Sequence, residues 1–423
     1  MPYRIPILFL CAAFVSGETI NLEDAIALAR KNSPQLRSAV IAADLAHEDR
    51  AQAKAALLPS LGAFNQFIYT QPNGLPSGVF VANDGVHVYS SQAVVHGDIF
   101  APVKTAEYRR SAAAEAVAQA RAEIAARGLV ATVVQSYYGL VAAERKSRNA
   151  QQGIEEARRF LDITEKQESG GEVARADVVK ARILVEQRLR EAQDAVANVE
   201  RSRIGLAVLL FPDFRQDFTV ADDFESVPPL PAFNEIRERA ASHSPELRAA
   251  QASVRQETLG VSAARGALLP SLSFDYFWGI NANEFAVFNR DHLRNLGSMA
   301  QATLTIPVWN WGASRSRVKQ AQLRLEQANV DLGFTGRMLL ANLNAFYAEA
   351  KAAGSQLDSL RRSVDLAGDS LRLTLLRYGA GEATALEVSD AQTTLTQARN
   401  AYDDGVTRYR LALAEIQTLT GVL

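Results

Sequence analysis

The chain has 423 residues, 48% apolar and 22% charged, with 45 basic against 47 acidic side chains. A net charge of −2, with no basic tail and no long run of like charge, gives no electrostatic ground for nucleic-acid binding. The single cysteine, Cys11, excludes an intrachain disulfide and any zinc site built on several thiolates.

Residues 1–17 read as a secretory signal: Arg4 precedes the apolar run Ile5 to Val15, and Val15-Ser16-Gly17 offers small residues before Glu18. Cleavage there removes Cys11 and Arg4, taking the charge from −2 to −3 and leaving no thiol for catalysis. A lipidated Cys11 is the alternative, disfavoured by the large Leu10 before it. Downstream, the most apolar helical stretch, Gly128 to Ala143, is interrupted by Gln135 and Ser136 and falls short of the ~20 residues a bilayer core requires. Any contact of the mature chain with a membrane must be made by strands.

The rest of the chain is one unit written twice. Asn32-Ser33-Pro34-Gln35-Leu36-Arg37 returns as His243-Ser244-Pro245-Glu246-Leu247-Arg248, and Ala56-Leu57-Leu58-Pro59-Ser60-Leu61 returns as Ala267-Leu268-Leu269-Pro270-Ser271-Leu272. Tyr138 answers to Tyr347, and Gly171-Glu172 with Asp177-Val178 answers to Gly381-Glu382 with Glu387-Val388. The first repeat is assigned to 18–210, a proline-rich linker to 211–231 and the second repeat to 232–423.

Each repeat begins with a short helix, Leu22 to Lys31 or Asn234 to Ser242. Serine as N-cap and proline at the first helical position open a second helix at Ser33-Pro34 or Ser244-Pro245. It ends near Leu58 or Leu269, because the proline that follows disfavours helical backbone before it. Strands are predicted at 59–70 and 86–95 in the first repeat and at 271–280 and 298–306 in the second. Leu272, Phe274, Tyr276, Trp278 and Ile280 share one face by period-two alternation, and Leu61, Ala63, Phe67 and Tyr69 keep the same parity. Loops rich in Gly, Pro and Asn, Gln71 to Gly85 and Asn281 to Gly297, join the strands.

Long helical hairpins follow, at 102–210 and 313–420. From Val318 to Leu371 an apolar or small residue recurs every 3.5 positions, broken only by Gly336, which specifies coiled-coil packing. The hairpins turn at Ser169-Gly170-Gly171 and at Tyr378-Gly379-Ala380-Gly381. The first long helix would span roughly 100 Å. Its return partner plus the short second helix nearly equal it in length, so the two shorter helices are expected to stack end to end beside it.

The fold class is therefore mainly α with membrane β, a duplicated unit of long coiled-coil helical hairpins plus two strands. Strands of this length suit the ~9–11 residues of a tilted barrel strand, yet closed barrels start at about eight strands. One chain cannot close one, so the strands are expected to be pooled in an oligomer into a β-barrel, with an α-helical barrel beyond it. A soluble periplasmic coiled-coil scaffold or adaptor is the alternative. Tyr276 and Trp278 suit a lipid-facing girdle, although a soluble sheet core could use them equally.

The duplicated plan, the Ser-Pro-x-Leu helix starts, the Leu-Pro-Ser-Leu strand entries and the Pro307-Val308-Trp309-Asn310 turn resemble the TolC-type outer membrane efflux proteins. So does Tyr378-Gly379-Ala380-Gly381 leading to Leu386-Glu387-Val388 and Asp390-Ala391. The resemblance covers essentially the whole mature chain. It implies a homotrimer in the cell outer membrane, a periplasmic helical tunnel, and as partners a periplasmic adaptor protein and an inner membrane pump. The chain would serve as a passive duct from periplasm to exterior in a tripartite efflux or type I secretion system. It places Glu387 and Asp390 at an acidic constriction of the tunnel, and Asp177 and Tyr378 at a polar link that holds the entrance closed. Spacing of three puts the two carboxylates on one helix face, where symmetry would gather them into rings. One position departs from the pattern: Ala383 stands where relatives carry arginine. Phe274, Tyr276 and Trp278 are expected to face lipid.

Catalysis finds no support. The five histidines, His47, His87, His96, His243 and His292, are scattered, and no His-Glu-x-x-His, Gly-x-Ser-x-Gly or phosphate-binding glycine loop occurs. His87 and His96 would lie on opposite faces of a strand and roughly 30 Å apart. No cofactor and no metal are expected.

Overall fold

A computed structural model describes residues 19–69 and 87–421; the signal segment with Cys11 and the Gln71 to Gly85 loop lie outside the described residues. The first repeat runs β1 (Thr19–Ile20), α1 (Leu22–Asn32), α2 (Pro34–Ala55), β2 (Ser60–Tyr69), β3 (His87–Phe100), α3 (Pro102–Ser169) and α4 (Arg175–Leu210). The second follows the same order with β4 (Thr219–Val220), α5 (Phe233–His243), α6 (Pro245–Gly266), β5 (Ser271–Ala282), β6 (Leu296–Thr305), α7 (Ala313–Gly379) and α8 (Ala385–Thr420). The long helices have 68 and 67 residues and their return partners 36 each, so the duplication holds almost residue for residue. No helix among the described residues is long and apolar enough to cross a membrane.

Local chemistry sets the helix ends. Ser33 accepts the Leu36 N–H on its Oγ at 3.2 Å and Pro34 occupies the first helical position of α2. Both hairpin turns end their long helix in the same way. Glu172 N–H bonds Gln167 O at 2.9 Å and Gly171 N–H bonds Glu168 O at 2.9 Å; Glu382 bonds Arg377 O at 2.8 Å and Gly381 bonds Tyr378 O at 3.1 Å. This is the Schellman pattern, and it needs the left-handed backbone that Gly171 and Gly381 supply at φ +77°.

The chain's contacts gather it into two compact units that cut across the repeats: one holds residues 19–38, 123–244 and 337–421, the other 39–122 and 245–336. In the first unit, the middle of α3 is buried on Val130, Val133, Val134, Tyr137 and Leu140, against Leu206 and Leu210 of α4 and Leu343 of α7. Each fully buried leucine contributes about 1.5–3 kcal/mol. Asn32 donates from Nδ2 to Leu210 O at 2.6 Å and Leu36 packs on the same cluster, so α2 starts where α4 ends. Along α7, Leu339, Leu343, Ala350, Ala353, Leu357, Ala367 and Leu371 of the 3.5-residue stripe are buried.

The 211–231 segment differs from the expected linker. Its strand β4 pairs in parallel with β1, and Phe218 and Phe224 are buried. Tyr137 donates to Ala221 O at 2.8 Å, Tyr409 to Pro228 O at 2.5 Å and Arg410 to Asp223 O at 2.7 Å. Prolines remove donors from a segment but leave its carbonyls free to accept, and these carbonyls are what hold it to the helices.

The second unit carries a four-stranded antiparallel sheet in the order β2-β3-β5-β6. Register puts Leu61, Ala63 and Phe67 of β2 on one face with Tyr89, Ala93 and Val95 of β3, Phe274, Tyr276 and Trp278 of β5, and Ala300 and Ala302 of β6. The other face holds a His96–Asp275 pair at 2.7 Å, a Ser90–Asn281 hydrogen bond at 3.1 Å and a Lys104–Asp98 ion pair. Strand β3 runs to Phe100, past the expected end at Val95, with a bulge between Asp98 and Phe100. Gly97, within this extension, makes room for the Phe274 ring, which a Cβ would overlap.

Gly279 marks a second close approach. Its φ is +156°, and a Cβ there would overlap the Ser91 carbonyl oxygen. Gly279→Ala is expected to break the β3–β5 ladder and lower the yield of folded, detergent-extracted protein, whereas Gly297→Ala, with open space at its Cβ, should leave that yield unchanged.

Candidate functional site

The two hairpin turns meet within the first unit. Phe160 of α3, Leu184 of α4, Leu371 and Tyr378 of α7, and Val388 and Leu395 of α8 form one buried cluster. Tyr378 is 2% exposed; its ring stands edge-on to Phe160 at 5.1 Å and its hydroxyl donates to Thr164 Oγ1 at 3.2 Å. Thr164 in turn donates to Phe160 O at 2.8 Å. Gln167 donates from Nε2 to Tyr378 O at 3.1 Å, a second hydrogen bond to the carbonyl that already accepts from the Gly381 N–H. Further along, Gln392 donates to Glu156 O at 3.1 Å, Arg399 pairs with Glu156 at 3.1 Å and Arg188 bonds Thr393 Oγ1 at 3.1 Å.

The structure makes a polar link between the hairpins, but not the expected one. Asp177 lies in the first turn of α4 and pairs with Lys180 at 3.2 Å, while Tyr378 is turned inward to Thr164. The orientation of Tyr378 has a physical cause. Burial of the Tyr378 ring beside Phe160 fixes where its hydroxyl points, and the nearest acceptor inside the cluster belongs to α3. Sequence reasoning missed Thr164, Gln167 and Gln392, although a signal existed. Ala157, Phe160, Thr164 and Gln167 continue the coiled-coil spacing, so two polar residues occupy seam positions, where each needs a specific partner.

Glu387 and Asp390 are both exposed. Glu387 is the third residue of α8 and forms a capping box: its Oε1 accepts from the Thr384 N–H and hydroxyl at 3.1 Å each, and its own N–H bonds Thr384 Oγ1 at 3.3 Å. Arg377 lies 3.6 Å from the other carboxylate oxygen, across the turn. The Thr384 N–H and hydroxyl, with Arg377 adding its charge, hold the Glu387 carboxyl below its ordinary range. Its folded value is lower than its unfolded one, so the stabilisation is complete above the ordinary range and is lost as pH falls through the depressed value. Amide exchange in the first turn of α8, corrected for intrinsic rate, is therefore expected to accelerate on acidification in the parent and to lose that dependence in Glu387→Gln.

On the sheet, Tyr276 and Trp278 are 42% and 53% exposed and Phe274 is half-buried over Gly97. The described histidines do not converge: His47 pairs with Glu115 at 2.8 Å, His96 with Asp275 at 2.7 Å, and His243 donates or accepts beside Ser242 at 2.8 Å. Among the described residues no group of three metal-ligating side chains comes together.

A family model described as outer membrane efflux protein matches residues 25–210 and 236–422. The chain is 23% identical over 420 residues to the alkaline protease secretion protein AprF of Pseudomonas aeruginosa, covering 96% of this chain and 85% of that one. It is 23% identical over 418 residues to the outer membrane protein TolC of Vibrio cholerae, covering 95% and 91%. Among solved structures, CusC superposes with a TM-score of 0.82 at 18% identity, covering 99% of this chain and 98% of that one. The outer membrane protein VceC of Vibrio cholerae superposes with a TM-score of 0.81 at 17% identity, covering 95% and 96%.

Proposed function

The chain belongs to the outer membrane efflux protein family, and from that premise we propose that it forms a passive trimeric duct carrying cargo from the periplasm to the exterior. It is not an enzyme, and the family places it in the outer membrane. The observation that supports the duct most directly is the sheet. Strands β2 and β6 are its edges, each with one side unpaired in the single chain. Strand directions alternate across the sheet, so β6 of one copy would meet β2 of the next antiparallel, and three copies of this four-stranded sheet would close into twelve. The face bearing Phe274, Tyr276 and Trp278 would meet lipid, and the face bearing His96, Asp275 and Asp98 would line the lumen. A periplasmic adaptor and an inner membrane pump would engage the hairpins, as the secretion role named for AprF suggests.

Glu387 and Asp390 would form the acidic constriction at the periplasmic entrance. The Tyr378–Thr164–Gln167 contacts would take the place of an Asp177 link in holding the hairpins together. Single-channel recording of Glu387→Gln with Asp390→Asn tests the constriction. Glutamine preserves the capping-box acceptor, so the tip should stay folded while cation preference and block by multivalent cations fall. Equal selectivity and block in parent and variant would remove these carboxylates from the pore. The mass of the detergent-extracted particle tests the assembly, and a water-soluble monomer would overturn it.

A further inference from the structure

We propose that β6 of one copy meets β2 of the next in a single register, the one the chain already uses between β3 and β5, and that Ile306 seated over Ala63 of the next copy fixes it. The proposal rests on the trimeric reading above and adds which residues touch. The duplication supplies the register. Ser60 and Ser271 open the matching strands β2 and β5, so Ala63, Asn65 and Phe67 correspond to Phe274, Tyr276 and Trp278. Asn65 pairs with Ser91 and Tyr276 with Ala300, so β3 and β6 correspond as well, and Ala93, Val95 and Gly97 answer to Ala302, Leu304 and Ile306. Within the chain, Trp278 lies opposite Ala93, Tyr276 opposite Val95 and Phe274 opposite Gly97. The two edges left over, β6 and β2, are the same two kinds of strand. Carried across to the next copy, that register sets Ala302 opposite Phe67, Leu304 opposite Asn65 and Ile306 opposite Ala63.

Side-chain size supports that placement. Inside the chain the large residue is on β5 and the small one on β3, where the Phe274 ring fills the space that Gly97 leaves. At the seam the roles are exchanged: β2 offers the small Ala63, and the large Ile306 comes directly after β6. Phe67 over Ala302 repeats the match of Trp278 over Ala93. Phe67, Leu304 and Ile306 are 55%, 60% and 56% exposed in the single chain, so their surface is free for a neighbour. The other face agrees in polarity, because Gln66 falls opposite Thr303. A slip of one residue would turn Ile306 to the wrong face. A slip of two would set Ile306 on Asn65 or Leu61 and lose the match with Ala63. The exchange also keeps the two seams apart. If β6 of a second copy displaced β3 from β5, Ile306 would fall on Phe274 with no room for both, and Gly97 against Ala63 would leave a void. Each edge therefore selects its own partner strand.

Without Cys11 the chain has no thiol, so paired cysteines report the seam directly. Side chains directly opposite have Cβ atoms about 4.5–5.5 Å apart and diagonal ones about 7–8 Å, and only the former approach disulfide distance. The closely spaced pairs of an antiparallel ladder all fall on one face, so both faces are tested, by Phe67→Cys with Ala302→Cys and by Gln66→Cys with Thr303→Cys. After oxidation of the detergent-extracted particle, one of these pairs is expected to give a covalent dimer and trimer ladder on a non-reducing gel. Its yield should exceed by about fivefold that of the slipped pairs, Phe67→Cys with Ala300→Cys or with Leu304→Cys. A ladder from a slipped pair instead, or none from a particle of trimeric mass, overturns the register; a particle of monomeric mass overturns the trimeric reading together with it. A size exchange gives the second readout. Ala63→Phe and Ile306→Gly are each expected to lower the share of trimer that resists SDS, and together to restore it, because the pair recreates Phe274 over Gly97 between copies. Additive losses, or no loss, would show that Ala63 and Ile306 are not opposite one another.

Discussion

Arginine in place of Tyr276 is expected to cost about 2–4 kcal/mol of membrane insertion per copy. Tyr276 lies at the middle of β5, between Val95 of β3 and Ala300 of β6, on the face where Ala93, Gly97 and Ala302 are its neighbours. No carboxylate shares that stretch of the face, so the charge would have lipid as its only surroundings. Penalties fall with distance from mid-bilayer, and arginine at Phe274 or Trp278, two residues to either side, should cost less. In a trimer the penalty is paid three times, enough to abolish assembly. The matched control is Gln301→Arg, which lies on the opposite face beside Asp275 and should be tolerated. Outer membrane fractionation with quantitative blotting reads the result. Equal recovery of both variants would show that the even-numbered face of β5 does not meet lipid.

Arg145→Met is expected to destabilise the first unit by about 3 kcal/mol. Arg145 lies across Phe224 at 4.9 Å and bonds Asp222 at 2.8 Å and Asp403 at 3.3 Å, with 19% of its side chain exposed. Asp403 is 4% exposed and keeps a second partner, Asn149, at 2.9 Å. Burial raises the Asp403 carboxyl above its ordinary range, against the pull of Asn149 and Arg145. Burial acts on Asp222 in the same direction, but the Arg145 and Arg148 contacts outweigh it and hold that carboxyl low. Without Arg145, two carboxylates share the site, offset by Arg148 and the Phe224 N–H at Asp222 and by Asn149 at Asp403. Asp403 then rises further above its unfolded value, so the folded state takes up a proton more readily and stability falls as pH rises through that window. The deficit should therefore be largest at neutral pH and shrink on mild acidification. Thermal denaturation of parent and variant across that range checks both magnitude and sign. A pH-independent deficit would indicate that lost packing on Phe224, not charge, carries the effect.

The Arg145 network also shows what was hidden from the sequence. Asp222 and Asp223 lie in a proline-rich stretch that reads as a joint, and nothing local marks Arg145 and Arg410 as the residues that fasten it. The hairpin tips were more legible: Ser169-Gly170-Gly171 and Tyr378-Gly379-Ala380-Gly381 mark both turns. Their partners were not. Tyr378 and Gln167 are 211 positions apart, and a 3.5-residue stripe states which face is buried without stating which helix covers it.

The sequence by itself determined what depends on neighbours along the chain: the duplication, the order and extent of the helices, the strand parity that separates an apolar face from a polar one, and the glycines that close the turns. Those features follow from backbone preference and periodicity, which act over a few residues. Tertiary structure decided the pairing of β3 with β5, the use of Gly97 and Gly279 as points of close approach, the regrouping of both repeats into two mixed units, and the exchange of Asp177 for Thr164 as the partner of Tyr378. Each of these is a choice among chemically equivalent partners. Shape and burial select among them only when distant segments are packed together.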